Sequence, residues 1–185
     1  MLLADHQIRR WAQDGGITPF IEDNLNPNSI DITYGDELLV EQPLSRGGSR
    51  LVPVNLQGYA EHDPYLLSPG GFALALVAER INLGVSLVGR DGIIRWPSVV
   101  AKGKSGRARE GLDLLNAGFG EVGYEGNLTL AIKNQLQHDD QLIWPGKRFA
   151  QLLIYSSDQP EAFYQGHYQG DSAVQASRGH FITNN

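Results

Sequence analysis

"LLSPGGFALALVAERINL", residues 66–83, decides how the chain is to be read. Ser68-Pro69-Gly70-Gly71 is a turn signal, because proline presets one turn corner and glycine tolerates the positive φ of the next. Directly after it, Phe72, Leu74 and Leu76 alternate onto one face. That is the two-residue period of a strand, not the 3.6-residue period of a helix. The same grammar recurs on both sides. "SIDITYGDELLVEQ" (29–42) alternates Ile30, Ile32 and Tyr34, then resumes after Gly35-Asp36, which predicts a turn between two strands. "NLTLAIKN" (127–134) puts Leu128, Leu130 and Ile132 on one face and Thr129, Ala131 and Lys133 on the other. "LIWPGKRFAQLLIYSS" (142–157) is a further turn and strand about Pro145-Gly146. The clearest helix is Asp5 to Gln13, with Asp5 as cap, Ile8, Trp11 and Ala12 on one face, and Gly15-Gly16 as the stop. With 22 glycines and 9 prolines punctuating short apolar runs, the expected fold is an all-β barrel or sandwich.

The 185 residues suit one domain, residues 1–185, and 41% hydrophobic against 19% charged residues is a globular balance. Without cysteine there is neither a disulfide nor a Cys-rich zinc site, which suits a reducing compartment. No apolar run approaches the roughly 20 residues of a membrane span, and the N-terminus does not read as a signal peptide. The expectation is a cytoplasmic protein without a membrane partner. A net charge of −6 argues against a nucleic acid polymer as partner, yet a local basic cluster can still hold a small anion. The five histidines show no paired metal-ligand spacing.

"GKSGRARE" (103–110) is the strongest local signal of chemistry. Lys104, Arg107 and Arg109 surround Ser105 and two glycines. Glycines admit an anion to the backbone, Ser105 and exposed N–H groups can donate to phosphate oxygens, and arginine adds bidentate contacts. A solvated basic loop is the plain alternative. Asp31, between Ile30 and Ile32, reads alone as an outward, solvated strand residue. Glu121, between Gly120 and Gly123, presents one carboxylate at a turn. The C-terminal stretch from Tyr164 has few aliphatic residues, so residues 164–185 read as a mobile tail.

In order along the chain, these segments resemble the dCTP deaminase/trimeric dUTPase superfamily. "NPNSIDITYGDELLV" is similar to its first motif, "GKSGRAREGL" to its phosphate motif and "AGFGEVGYEGNLTLAIKN" to its third. "WPGKRFAQLLIY" and "YQGDSAVQASR" match the last two. The resemblance spans nearly the whole chain. It implies a mainly β fold, a distorted jelly-roll-like barrel (dUTPase-like β-clip) with a short N-terminal helix. It also implies a homotrimer with sites between subunits, a deoxypyrimidine nucleoside triphosphate as ligand, and a C-terminal lid.

Departures from the pattern bear on the activity. The family's deaminases carry a glutamate where this chain has Ala131, so proton shuttling at a cytosine ring lacks its acid. The family's dUTPases use a third-motif aspartate to activate water, and here that position is Glu121. The resemblance thus implies a pyrophosphatase that converts dUTP or dCTP to the monophosphate, with Glu121 as water activator. Lys104, Ser105, Arg107, Arg109, Gln151, Tyr168, Ser177 and Arg178 would bind substrate, Asn116 would read the base, and Asp31 would support the site from behind. Mg²⁺ would be held mainly by the triphosphate. Alternatives are a dCTP deaminase in which Asp113 or Glu125 covers for Ala131, and a catalytically silent nucleotide-binding trimer. A segment of about ten residues, "RDGIIRWPSVV" (90–100), is extra against the family spacing and is expected to be a lid or a trimer contact.

Overall fold

A computed structural model describes residues 1–89, 91–115 and 118–177. Helix α1 (Asp5–Trp11) packs Ile8 and Trp11 into the core, as their spacing predicts. Its cap differs from expectation. Ala4 is the capping residue, and its N–H donates to Gln7 Oε1 at 3.0 Å, so a side chain one turn on replaces the Asp5 cap. A wide turn, Ala12–Gly16, ends the helix with Gly15 at φ 96°.

The strands are β1 (Ile17–Thr18), β2 (Leu25–Asn26), β3 (Ser29–Pro43), β4 (Ser49–Asn55), β5 (Tyr65–Leu67), β6 (Phe72–Asn82) and β7 (Leu87–Val88). After them come β8 (Ile94–Gly103), a short helix α2 (Ser105–Arg109), β9 (Leu112–Leu114), β10 (Phe119–Gly120), β11 (Glu125–Asn134), β12 (Gln141–Ile143) and β13 (Arg148–Ser157). Among the described residues eleven strands form one antiparallel sheet: seven follow the path β10-β8-β13-β3-β6-β11-β9, β1 pairs with β6, β2 and β4 with β3, and β7 with β8; β5 pairs with β12 separately. The two ends of that path, β9 and β10, are neighbours in sequence, so the sheet must curl round upon itself. The mainly β, barrel-like expectation holds.

A further local expectation is corrected. Gly35-Asp36 is not a turn: β3 runs through it unbroken, and the register against β6 shifts between Tyr34 and Leu38. A Cβ on Gly35 would meet the Leu76 side chain and backbone at 3.2–3.3 Å, so the glycine marks a bulge where two strands close in. On β6 the small residues Ala73, Ala75 and Val77 are completely buried, while Phe72 and Leu74 face the half-buried side. Strand β11 does follow its pattern, with Leu128, Leu130 and Ile132 inward. The core joins these to Ile30, Ile32, Tyr34, Phe149, Leu152 and Ile154 of β3 and β13, and Tyr34 stacks on Phe149 at 3.9 Å. Of the 90–100 segment, residues 91–93 lie in the turn between β7 and β8 and residues 94–100 belong to β8; Arg95 donates to Asp91 through two hydrogen bonds of 3.0 and 2.6 Å.

Candidate active site

The residues singled out in the sequence fall into two groups on one chain. The first lies where β3, β13 and the start of α2 meet. Asp31, the strand residue that alone reads as solvated, is 2% exposed. Its carboxylate receives Lys104 Nζ, has Arg148 Nη1 at 3.7 Å, and accepts a hydrogen bond from Asn26 Nδ2 at 3.1 Å. A buried carboxylate needs such partners, since desolvating an unpaired charge costs several kcal/mol. Gln151 sits opposite Asp31 in the β3–β13 ladder and accepts from Ser29 Oγ at 3.2 Å.

Lys104 caps α2, and its backbone N–H donates to Phe149 O at 3.2 Å, which fixes the loop on the edge of β13. Ser105, Gly106 and Arg109 are exposed beside it. Arg107 turns back to Glu110 of its own helical turn, and its Nε is buried without a hydrogen-bond partner among the described residues. Lys147, from the turn before β13, lies 4.2 Å over the Trp144 ring. Burial, and then the Arg107 charge, lower its pKa to about 8.

The second group surrounds a cavity of about 360 Å³ against β11. Glu121, exposed on the turn between β10 and β11, forms part of its wall, and so does Ala131. The barrel side also includes Leu74, Phe119, Tyr124, Asn127, Leu128 and Thr129. Tyr168 and Ser177 of the C-terminal segment reach the same cavity, together with Tyr164, Asp171 and Gln175. Tyr124 donates to Asn127 O at 3.1 Å, and burial, reinforced by Asp171 and Tyr164, pushes its phenol up to about 12. A more open cavity of about 620 Å³ shares Phe119, Glu121 and Tyr164, so the Glu121 carboxylate stands between two spaces.

Lys104, Ser105, Arg107, Arg109, Gln151 and Asp31 do not line the cavity that holds Glu121. One chain therefore brings the basic loop to Asp31 and Gln151, and brings Glu121 to Tyr168 and Ser177, but does not join the two groups. Asn116 and Arg178 lie outside the described residues. Asp113 accepts from Gln135, Glu125 is paired with Arg80 at 3.1 Å, and neither lines the cavity beside Ala131. Arg148, Thr129 and Asp171 are the neighbours that sequence reasoning missed. Arg148 stood in plain view in "WPGKRFAQ", but nothing local says that it reaches Asp31. Among the described residues no three His, Cys, Asp or Glu side chains converge, so these side chains offer no protein-only cage for Mg²⁺. No helix among them is long and apolar enough to cross a membrane.

The dCTP deaminase-like family model matches residues 2–157, and the chain belongs to that family. It is 30% identical over 191 residues to a "dCTP deaminase, dUMP-forming" of Sulfurihydrogenibium sp. (strain YO3AOP1), covering 96% of this chain and 97% of the relative. It is 31% identical over 179 residues to a "dCTP deaminase" of Pyrococcus horikoshii, with 96% and 97% covered. The solved 2'-deoxycytidine 5'-triphosphate deaminase of Agrobacterium tumefaciens shares the fold, with a TM-score of 0.60 at 21% identity over 82% of this chain. The present chain spans about half of that one, 46% of its length.

Proposed function

We propose that the chain is an enzyme acting on deoxypyrimidine nucleoside triphosphates and that it hydrolyses dCTP or dUTP to the monophosphate and pyrophosphate. The observation that carries this reading is the cavity in which Glu121 is an exposed carboxylate and Ala131 stands where a second acid would be needed at the base. Relatives named for forming dUMP from dCTP must change both the base and the phosphate chain. Loss of the acid at Ala131 removes support for the first change and leaves the second intact.

In that reaction Glu121 takes a proton from water as the water oxygen bonds to the α-phosphorus. The bond from that phosphorus to the bridging oxygen breaks, and pyrophosphate leaves with the electron pair. Lys104, Ser105, Arg109 and Gln151 hold the phosphates, Arg107 adds charge beside them, and Asp31 aims Lys104. Positioning and charge neutralisation supply most of the rate in such chemistry. Because the Glu121 group and the basic group are separate on one chain, the complete site forms between copies, as in a homotrimer with head-to-tail contacts. Mg²⁺ would be held mainly by the triphosphate and would neutralise its charge.

A second reading rests on Asp171, an acid of the C-terminal segment that lines the same cavity as Ala131. If it serves the base, the product from dCTP is dUMP. Incubating the protein with dCTP or dUTP and resolving the products decides between them. We expect dCMP from dCTP, dUMP from dUTP, and pyrophosphate from both. Formation of dUMP from dCTP would favour the second reading. Ammonia with an intact triphosphate, or binding without turnover, would sink the first. Glu121→Gln should lower turnover by roughly 10²-fold or more while nucleotide binding persists.

A further inference from the structure

Strand β9 pairs with β11 only at Ile132–Asn134, which leaves the other end of that edge, near Glu125 and Asn127, open to another strand. The C-terminal segment takes it. Gly170 N–H donates to Glu125 O at 2.7 Å, and Asn127 N–H donates to Asp171 O at 2.8 Å. The Gln169 side chain clamps the same place, accepting from Glu125 N–H at 3.2 Å and donating to Gly123 O at 3.0 Å. The tail meets the edge as a turn rather than as a further strand, and its main chain supplies the hold.

Beyond Asp171 the segment leaves the edge and crosses the face of the sheet. Two consecutive backbone amides are caught there by side chains of different strands. Val174 N–H donates to Glu37 Oε2 at 3.0 Å, and Gln175 N–H donates to Thr129 Oγ1 at 3.0 Å. Glu37 is on β3 and Thr129 on β11, with β6 between them. Thr129 pairs with Leu76 and Leu38 with Ala75, so the two catches flank the same stretch of β6. The strap thus fixed provides Tyr164, Tyr168, Asp171, Gln175 and Ser177 as the outer wall of the Glu121 cavity.

We propose that Glu37 and Thr129 are positioning residues that dock residues 164–177 across β6, and that this docking builds the ligand-facing wall of the cavity. Glu37 is the sharper of the two, because it does not line the cavity and holds the strap at Val174 N–H. Its carboxylate holds a backbone amide by a charge-assisted bond, stronger than the neutral bond at Thr129. Glu37 lies in the segment that resembles the family's first motif and Thr129 in the one that resembles the third. The link to turnover rests on the nucleotide reading above, but the docking itself does not.

Amide hydrogen exchange over residues 169–177, in the intact protein without nucleotide, tests the docking. Glu37→Ala should speed exchange at Val174 roughly tenfold, and Thr129→Val should do the same at Gln175, as expected for loss of one such bond. Glu37→Gln and Thr129→Ser keep an acceptor and should restore most of the protection. Unchanged exchange in Glu37→Ala overturns the proposal. So does an equal loss of protection throughout β3 and β6, which would make Glu37 a residue of the sheet rather than of the strap. In turnover, Glu37→Ala should raise KM for the nucleotide about tenfold and change kcat far less; a fall in kcat alone refutes the positioning role. A wild-type protein that hydrolyses no nucleotide would refute the proposed function, while the exchange measurement would still decide the strap.

Discussion

Replacing Asp31 with Asn tests whether the basic loop is anchored from beneath. Asp31 is 2% exposed, whereas the Lys104 and Arg148 side chains are 32% and 48% exposed, so only one member of the cluster is truly buried. Removing one partner of a fully buried pair costs about 3–5 kcal/mol. Here the two cations can swing into water, so the loss should fall to about 1.5–3 kcal/mol, the range for a hydrogen bond to a charged group. The substitution keeps the volume and the acceptor for Asn26, and it turns the oxygen that faces Lys104 and Arg148 into an amide donor. At about 2–4 °C per kcal/mol for a chain of this size, the midpoint should drop by about 3–12 °C. The assay is thermal unfolding at one fixed protein concentration, because any association would make the midpoint depend on it. Lys104→Met should cost less alone, and the double variant should show a coupling of about 1–2 kcal/mol between the positions. A midpoint within 1 °C of wild type, or additive effects, would refute the anchor.

Glu79 is 2% exposed and accepts from Thr33 N–H at 3.0 Å and Thr33 Oγ1 at 2.9 Å. Burial raises its pKa above the usual 4.5 despite those bonds. A carboxyl raised in the folded state stabilises fully below its unfolded pKa, and that contribution is lost as pH rises through the folded one. Glu79→Gln should therefore flatten the pH dependence of urea unfolding above about pH 4.5; parallel curves for the two proteins would refute the assignment. Gly126 has φ 152°, and a Cβ there would stand 2.8 Å from Asp171 O and from Tyr124 Oη. Gly126→Ala should push the strap off β11, seen as faster proteolytic cleavage within residues 164–177; unchanged cleavage would show that the edge pairing is not what holds it.

What was legible in the sequence was whatever repeats locally. Alternation in β11 and the Pro-Gly turns before β6 and β13 follow from side-chain period and turn chemistry, so each strand announces itself. Gly35 misled because one glycine serves a turn and a bulge equally well, and only the approach of Leu76 tells them apart. The face of β6 was hard to read for a related reason. In a curled sheet the tight inner side takes Ala73, Ala75 and Val77, and the larger Phe72 and Leu74 are left outside. Asp31 was hidden because its partner Lys104 is 73 residues away. A carboxylate between two isoleucines looks solvated until the chain brings a cation to it.

The C-terminal segment was the least legible part, for a physical reason. A stretch poor in aliphatic residues cannot be held by apolar burial, and composition registers only that fact. Its docking uses the backbone of Gly170, Asp171, Val174 and Gln175, and every sequence carries those groups. The receiving side is equally quiet: an open length of β11, one threonine and one glutamate. The separation of the two site groups follows from the same topology. Asp31 and Gln151 sit on β3 and β13, while Thr129 and Ala131 sit on β11, with β6 in between. Motif order along the chain could name the parts of the site, but only the order of strands in the sheet reveals that a single copy holds them apart.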